Sequence, residues 1–425
     1  MQTIILPNLM FEEELAGGGG QSAGEAARRV SELIPVTGLL FPDRSTTVLI
    51  PDGSTPHELP DVLSNVRFAV RDEVLREITG TSEVIAWGWS PQAVRVSRLL
   101  GGAVHHPEVE AVYRINRRQF LGPYDIAVPA DQLELAIAQT QPVQFSRECR
   151  NELDVRNAIQ ELCSPASSQW IVKADLSQAA RNRILGDGTT ISESHLGWMN
   201  RKFLAGETVT FEPWVNRVLE FGIQFEVSRT PAGPSSVCVG VTRLLTLPGG
   251  QYSGSLLPAA EADSFEQLML EGNHTEKRIG QHHVEFLIQY GLKIAEAAGR
   301  FGYFGPIGID SMIYRGVDGR LFVRPANDIN GRYTMGRVAL SLGRGPGGAA
   351  AGAWLCIPGK VLRDFGKDLA NLLPKSVRME RTSPGRIGDR PVTMASVFLI
   401  SDDIEAVYWS FKTLQNYSET SKSSS

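Results

Sequence analysis

The stretch 302–336 groups acidic, amide and basic side chains; it reads GYFGPIGIDSMIYRGVDGRLFVRPANDINGRYTMG. Asp310 lies within the first apolar run, and Asp328, Asn330 and Arg332 follow the second. Two carboxylates and an amide oxygen are ligands that Mg²⁺ prefers, and an arginine matches the geometry of a phosphate. The grouping predicts a site for divalent cations and phosphate, although a solvated strand end with ordinary surface charges would contain the same residue types.

Two apolar runs must pair for these side chains to meet. The first run is IGIDSMIY, the second is RLFVRPA, and Asp318 and Gly319 lie between them as a turn signal. Apolar runs joined by a short glycine-containing loop are typical of a β-hairpin. This hairpin would bring Asp310 back beside Asp328 and Asn330.

A cationic group lies upstream, at the end of the apolar run SSQWIVKADL. Lys173 ends the predicted strand, and the polar segment QAARNRILGDGTT that follows carries Arg181 and Arg183. A cation at a strand end, beside a loop with backbone donors and arginines, suits a phosphate group. A surface lysine beside a solvated basic loop is the alternative.

The segment between the next two predicted strands suits a nucleotide base. It consists of Glu212, Pro213, Trp214 and Val215. A proline interrupts strand pairing, so neighbouring backbone N–H and C=O groups can hydrogen-bond an adenine edge while an aromatic or apolar wall covers the ring. Glu220 begins the following strand and could accept hydrogen bonds from ribose hydroxyls.

Composition narrows the class of function. The chain has 425 residues, enough for about three domains of ~150 residues each. Its net charge of -5 gives no support to nucleic-acid binding. The four cysteines lie far apart without a CxxC pair, which argues against a zinc knuckle or a disulfide framework. No apolar run approaches the ~20 residues of a membrane span, and MQTIILPNLMFEEEL lacks the basic start of a signal peptide, so we expect a cytoplasmic protein without a membrane partner.

Residues 1 to about 115 alternate between strand-like and helix-like patterns. TIILPNL, TTVLIPDG and SEVIAWGWS are typical of strands, and EAARRVSELI and PQAVRVSRLL have helical spacing. The alternation favours a parallel sheet in an α/β domain. The GGGG run at 17–20 is expected to be a loop, because no strand leads directly into it and no Lys-Ser/Thr pair follows.

Beyond residue 115 the pattern indicates an α+β region. NELDVRNAIQELC and SHLGWMNRKFL have helical spacing, and TVTFEPWVNRVLEFGIQFEV and VCVGVTRLLTL are strand-like. Residues 249–265 are expected to form a long loop, followed by a helix over about 280–300. The last eighty residues predict one strand, RPVTMASVFLI, and a helix from near Asp402, and the polar tail 416–425 is expected to be disordered.

The order of these features resembles the ATP-grasp superfamily, in which two α+β subdomains close on ATP behind an N-terminal α/β domain. The resemblance covers about residues 115–336 and is most specific in GIDSMIY followed by NDINGRYTMG. The run WIVKADLSQAARNR is similar to a little-characterised subgroup related to peptide-forming carboxylate–amine ligases. The resemblance implies an α/β and α+β fold with a Rossmann-like pre-ATP-grasp domain at 1–115, a subdomain with the phosphate loop and adenine hinge at 116–218, and a metal-binding subdomain at 219–345. It does not account for the C-terminal residues, where we expect a segment packed on the core at 346–415 and a disordered tail at 416–425.

The resemblance also implies roles for single residues in nucleotide binding. Lys173 matches the lysine that contacts the ATP phosphates, and Arg118 falls where many members have a first phosphate-binding lysine. Glu220 matches the ribose-binding acid. The residues that match the adenine hinge are Glu212, Pro213, Trp214 and Val215.

Metal binding and catalysis are assigned in the same way. Asp310 and Asp328 match the two metal-binding carboxylates, and Asn330 matches the amide ligand of the second metal. Arg332 matches a basic residue near the reacting phosphate, and Arg181 would add positive charge there.

The implied activity is an ATP-dependent carboxylate–amine ligase that forms ADP. It would use ATP and Mg²⁺, with Mn²⁺ as a substitute, and join a small-molecule carboxylate to an amine through an acyl phosphate; a homodimer is left open. A phosphotransferase acting on the same nucleotide is one alternative. The other is a catalytically weak or inactive nucleotide-binding protein, because residues 178–180 are Gln-Ala-Ala where the family has glycines and Asp328 replaces the usual glutamate.

Overall fold

The computed structural model describes residues 2–17, 25–77, 82–102, 105–133, 143–163, 169–176, 182–247, 251–258, 280–343 and 351–423. Arg181, the glycine-poor segment 178–180 and most of the GGGG run lie outside the described residues.

Strands in the described part of the chain are numbered β1 to β21: Thr3–Leu6, Thr46–Ile50, Pro56–His57, Val66–Val70, Glu83–Ala86, Ile126–Pro129, Val143–Gln144, Arg147–Cys149, Gln169–Ala174, Arg183–Asp187, Val209–Pro213, Asn216–Thr230, Gly233–Thr246, Tyr252–Leu257, Gly305–Arg315, Leu321–Asn330, Ala351–Pro358, Arg378–Arg381, Arg386–Ile387, Arg390–Pro391 and Met394–Ser401.

Helices in the same ranges are numbered α1 to α12: Phe11–Leu15, Glu25–Ser31, Arg71–Glu77, Pro91–Leu99, Val109–Ile115, Arg118–Leu121, Glu152–Leu162, Glu193–Leu204, Gln281–Arg300, Met335–Gly343, Gly359–Leu372 and Ile404–Ser423. Short 3₁₀ helices cover Ile34–Leu40, Asp61–Leu63 and Gly122–Tyr124. No helix among the described residues is both long and apolar enough to cross a membrane.

Two compact units make up the chain. The first comprises Met1–His106, Gly240–Gly272 and Arg332–Ser425, and the second comprises Pro107–Val239 and Asn273–Gly331. The finer domain boundaries drawn from the sequence remain predictions.

The first unit contains the parallel sheet that the N-terminal alternation predicts. Its strand order is β4-β2-β1-β5, and β1 pairs in parallel with both β2 and β5. Ile4, Leu49 and Val84 form part of its buried core together with Ala93 of α4. The side chain of Ser90 caps α4 by accepting a hydrogen bond from the Ala93 N–H at 3.0 Å. The alternating pattern therefore predicted this sheet correctly.

The first unit also contains an antiparallel arrangement, β18-β21-β17-β14-β13, to which β13 contributes its C-terminal part, and a small antiparallel sheet with the order β20-β19-β3. The long loop expected over 249–265 is wrong for residues 252–257, because β14 pairs there with β13 and β17. The pair Leu256 and Leu257 is buried in that strand. The C-terminal residues also form more strands than the sequence pattern predicts.

Helix α12 continues to Ser423, where a disordered tail from 416 was expected. Val407, Tyr408, Phe411 and Leu414 are buried at helical spacing along its first half. Because a helix extends at little cost once it is nucleated, this packed half carries the polar residues that follow.

The second unit contains two sheets. The smaller one has the order β10-β9-β11-β8 and is antiparallel throughout. It packs with α7 and α8 around a core that includes Val155, Trp170, Met199 and Phe211. Part of the polar loop expected after Lys173 is instead strand β10.

The larger sheet of the second unit has the order β12-β15-β16-β6-β7. Its strands β15 and β16 form the hairpin that the sequence predicts, and Gly319 in its turn has a φ of +80°, which favours glycine. Helix α9 packs on β12, where an ideal Cβ on Gly291 would lie 2.3 Å from the Phe225 ring. This hairpin positions the acidic candidates.

Candidate functional site

The hairpin sets two carboxylates opposite each other. Asp310 is the cross-strand partner of Asp328, and Gly308 is the partner of Asn330. Directly opposed residues of an antiparallel pair have Cβ atoms about 4.5–5.5 Å apart. Both aspartates are half-buried, so they keep a side accessible to a ligand. The juxtaposition of Asp310 and Asp328 was predicted from the hairpin pattern.

Glu212 lies at the centre of a buried group of charges and is only 3% exposed. Its Oε2 accepts hydrogen bonds from Lys173 Nζ at 2.8 Å and from Arg324 Nη1 at 3.0 Å. Its Oε1 accepts a hydrogen bond from Arg118 Nη1 at 3.3 Å. We call Arg118, Asp125, Lys173, Glu212 and Arg324 the Glu212 cluster.

Strand register explains why Lys173 meets Glu212. Lys173 of β9 is the cross-strand partner of Thr210 in β11, and Glu212 follows Thr210 by two residues. Side chains two residues apart on a strand share a face, so Glu212 is the diagonal neighbour of Lys173. The sequence placed both residues at strand ends but did not predict this ion pair.

Glu212 remains ionised despite its burial. Burial alone would raise the pKa of Glu212, but the charges of Arg324, Lys173 and Arg118 outweigh this effect and hold the pKa well below its usual value. A carboxylate in this state can accept all three hydrogen bonds at once.

The ammonium group of Lys173 has a lowered pKa. Burial lowers the pKa of Lys173 to about 8; the carboxylate of Glu212 raises it, and the charges of Arg118 and Arg324 lower it. The side chain retains 13% of its exposure, so it is not sealed from solvent. An incoming anion would favour the charged form. Lys173 is therefore suited to an anionic ligand.

Arg118 connects the Glu212 cluster to the acidic hairpin. Its Nη2 lies 3.5 Å from Asp328 Oδ1, and its guanidinium is nearly buried. Asp175 fixes the start of α6, because its backbone C=O accepts a hydrogen bond from the Arg118 N–H at 3.1 Å and its carboxylate pairs with Arg117. The structure thus brings Arg118, Lys173 and Asp328 into one site.

Arg324 and Asp125 complete the cluster, and the sequence reasoning missed both. Arg324 Nε and Nη2 donate to the two carboxylate oxygens of Asp125 at 2.6 and 2.7 Å. Burial would lower the pKa of Arg324, but Asp125 and Glu212 more than offset this, so the pKa is raised. The available signal was a charged residue inside the apolar run RLFVRPA, since a buried arginine needs an anionic partner.

The base-site candidates form a neighbouring group at the junction of β11 and β12. Glu220 accepts hydrogen bonds from Arg217 Nη1 at 3.2 and 3.4 Å, and the Arg217 guanidinium lies 5.0 Å from the centre of the Trp214 ring. The backbone N–H of Trp214 donates to the backbone C=O of Gln169 at 2.9 Å. That N–H is therefore already engaged by the protein.

Solved structures with similar folds are known. A carboxyaminoimidazole ribonucleotide synthase from Aspergillus clavatus complexed with ATP has a TM-score of 0.51 and 11% identity, over 99% of this chain and 98% of that chain. An N5-carboxyaminoimidazole synthase from the same organism, in complex with ADP and an aminoimidazole ribonucleotide, has a TM-score of 0.51 and 11% identity, over 98% of both chains. Both neighbours are ATP-grasp enzymes. The chain has the ATP-grasp fold.

A pyruvate carboxylase from Rhizobium etli is a further structural neighbour, with a TM-score of 0.50 and 12% identity over 96% of this chain and 36% of that chain. No protein-family model matches the sequence, and no curated protein matches it significantly. At these identities the likeness establishes the ATP-grasp fold, and the roles of individual residues rest on the geometry of this chain.

The oxygen donors at the hairpin suit a divalent cation. Asp310 and Asp328 supply carboxylates and Asn330 supplies an amide oxygen, which are hard ligands. No three His, Cys, Asp or Glu side chains group around a metal-sized space in the part of the chain that the structure describes. Mg²⁺ commonly takes one or two carboxylates and completes its shell with water and substrate phosphate, so this donor set fits it.

Arg332 is part of the first unit, whereas the candidates discussed so far belong to the second. Its Nε donates to Glu12 Oε1 at 2.5 Å, and its Nη1 donates to the C=O of Tyr333 at 3.0 Å. Glu12 is buried at the start of α1, and the sequence reasoning did not single it out. The role of Arg332 near a reacting phosphate remains a prediction.

Proposed function

We propose that this chain is an ATP-dependent ligase that joins a small-molecule carboxylate to an amine through an acyl phosphate. The observation that carries this proposal is the convergence, within one unit, of Lys173, Arg118 and the Asp310–Asp328 pair from separate segments. Cations and partly exposed carboxylates side by side are what a metal-bound polyphosphate needs. The ATP-grasp fold and the ATP and ADP complexes of its neighbours support a nucleotide as the ligand.

Recognition of the nucleotide would use groups along β9, β11 and β12. Lys173 would donate to the phosphates from its accessible side while Glu212 holds it. Since the Trp214 N–H is engaged by Gln169, an adenine edge would be read by the backbone of Pro213 and Val215. Glu220 would accept hydrogen bonds from the ribose hydroxyls.

The divalent cation would be held by Asp310, Asp328 and Asn330. When bound, it would neutralise negative charge on the phosphates and make the terminal phosphorus more electrophilic. Asp328 would have to exchange its contact with Arg118 for the cation, which frees the Arg118 fork for a phosphate oxygen.

The reaction itself would need no protein nucleophile. An oxygen of the substrate carboxylate would attack the terminal phosphorus, and ADP would leave with the electron pair of the broken P–O bond. The amine would then attack the acyl carbon and expel inorganic phosphate. Positioning and charge neutralisation by Lys173 and Arg118 would supply the catalysis. The roles that the resemblance implies for Arg181 and Arg332 remain predictions.

A second candidate is a nucleotide-binding protein without efficient turnover. The observation that favours it is that two groups needed for turnover are engaged by the protein itself, Lys173 by Glu212 and Asp328 by Arg118. In that case ATP would bind, but phosphoryl transfer would be slow with every acceptor.

The test is ADP formation across a matrix of small carboxylates and amines, with condensation products identified by mass spectrometry. A ligase forms ADP and a condensed product when both a carboxylate and an amine are present. Formation of ADP with a hydroxyl acceptor alone would indicate a phosphotransferase. ATP binding without ADP formation in any combination would support the second candidate and contradict the ligase.

A further inference from the structure

Arg324 reaches the proposed nucleotide site only through a second residue. It is fully buried, and its Nη1 donates to Glu212, which in turn holds Lys173. We propose that Arg324 and Asp125 are a positioning pair that sets the Glu212 carboxylate, and through it the Lys173 ammonium, for contact with the phosphates of ATP. This inference rests on the proposed function, because it assumes that ATP is the ligand.

The guanidinium of Arg324 is restrained on several sides. Its Nε and Nη2 form a two-pronged pair with Asp125, and its Nη1 also donates to Asn327 Oδ1 at 2.7 Å. The centre of the Phe145 ring lies 3.9 Å from its central carbon. A planar guanidinium that is hydrogen-bonded on several sides has little freedom to rotate. The direction of the hydrogen bond from Arg324 Nη1 to Glu212 is therefore fixed.

Glu212 shares one oxygen between two donors. Its Oε2 accepts from Lys173 and from Arg324, and its Oε1 accepts from Arg118. Because Arg324 also donates to Oε2, this oxygen does not interact with Lys173 alone. An ammonium group has three donors, so Lys173 can keep its contact with Glu212 and turn the others to a phosphate.

A purely structural ion pair would behave differently. Exchanging both partners of a buried pair for apolar residues of similar volume is often tolerated, whereas removing one partner leaves an unpaired buried charge. The double variant Asp125→Leu/Arg324→Met therefore removes the pair without orphaning either charge. Arg324→Lys keeps the positive charge but loses the two-pronged geometry.

The experiment measures ATP and adenosine binding by isothermal titration calorimetry with Mg²⁺ from pH 7 to pH 9.5, together with thermal unfolding. The full chain is compared with the double variant, with Arg324→Lys and with the control Arg320→Met. Arg320 lies at the other end of the same hairpin, in an exposed pair with Asp318. We expect the control to bind both ligands as the unchanged protein does.

Both test variants should lose affinity for ATP by roughly ten- to a hundredfold, which is the range for a charged hydrogen bond, and keep their affinity for adenosine. In the double variant the pH at which ATP binding weakens should also move upward, because Arg324 no longer lowers the pKa of Lys173. The double variant leaves the other charged groups around Lys173 unchanged. These are Glu212, Arg118 and Arg183, the cross-strand partner of Lys173. A merely structural role would leave the ratio of the ATP affinity to the adenosine affinity unchanged.

Each outcome of this experiment either supports or overturns the positioning role. A folded double variant that binds ATP at pH 7 as tightly as the unchanged protein would overturn the positioning role while the proposed function stands. If the double variant does not fold, Arg324→Lys decides, and wild-type affinity for ATP in that variant would overturn the role. Absence of ATP binding by the unchanged protein would overturn the proposed function and this inference with it.

Discussion

ATP binding should weaken as the pH rises through about 8, because Lys173 then loses the proton that attracts the phosphates. Burial lowers the pKa of Lys173 to about 8, so the ammonium form predominates at pH 7 and is the minor form at pH 9. Above that pKa the protonated fraction falls tenfold for each pH unit, which corresponds to about 1.4 kcal/mol of binding free energy per unit. The bound phosphates favour the ammonium form, so binding takes up protons in this window.

The assay is calorimetric titration of ATP with Mg²⁺ at pH 7, 8, 9 and 9.5, in two buffers of different ionisation enthalpy at each pH. The two buffers report the number of protons taken up, which should be near zero at pH 7 and rise above pH 8. Lys173→Arg is the matched control, because an arginine stays charged across this range and should flatten the profile. Equal affinity at pH 7 and pH 9.5, with no proton uptake, would refute the assignment of Lys173 to the phosphates.

Three further predictions concern the site and the smaller sheet of the second unit. Asp328→Ala should abolish Mg²⁺-dependent turnover and leave most of the adenosine affinity, because the metal and base groups lie on different segments; unchanged turnover in steady-state ADP assays would show that Asp328 is not a metal ligand. Lys173→Ala should weaken ATP far more than adenosine in binding titrations, and equal losses for the two ligands would point to a folding defect. Gly186→Ala should lower the free energy of unfolding by about 1–3 kcal/mol, because a Cβ there would lie 2.0 Å from the Trp170 ring. The control Gly197→Ala in helix α8, where the nearest atom is 3.8 Å away, should raise the free energy of unfolding by about 0.5–1 kcal/mol. Denaturant unfolding measures both variants, and equal stability would contradict the packing argument.

The sequence predicts those parts of the site that depend on local pattern. The apolar runs IGIDSMIY and RLFVRPA and the Asp318–Gly319 turn were enough to predict a hairpin with Asp310 beside Asp328, and the structure pairs these two residues directly. Alternating strands and helices likewise predicted the parallel sheet of the first unit. In both cases the signal is a local pattern within each strand, helix or turn.

Features that depend on distant partners were not predictable in the same way. Asp125 and Arg324 are 199 residues apart, and the pairing of β16 with β6 brings their segments together. Strand β10 lies in a polar run, and it forms because the edge of β9 offers it a full set of hydrogen-bond partners. Arg332, which follows the hairpin by two residues, pairs with Glu12 from the start of the chain.

The most direct test of the central proposal follows one oxygen atom. A carboxylate that supports ADP formation with an amine is labelled with oxygen-18, and the inorganic phosphate released in the reaction is examined by mass spectrometry. An acyl-phosphate mechanism transfers one labelled oxygen from the carboxylate to the phosphate, because the bridging oxygen leaves with phosphorus when the amine attacks carbon. We expect phosphate that carries one oxygen-18 atom, and unlabelled phosphate released together with ADP would contradict the proposed ligase.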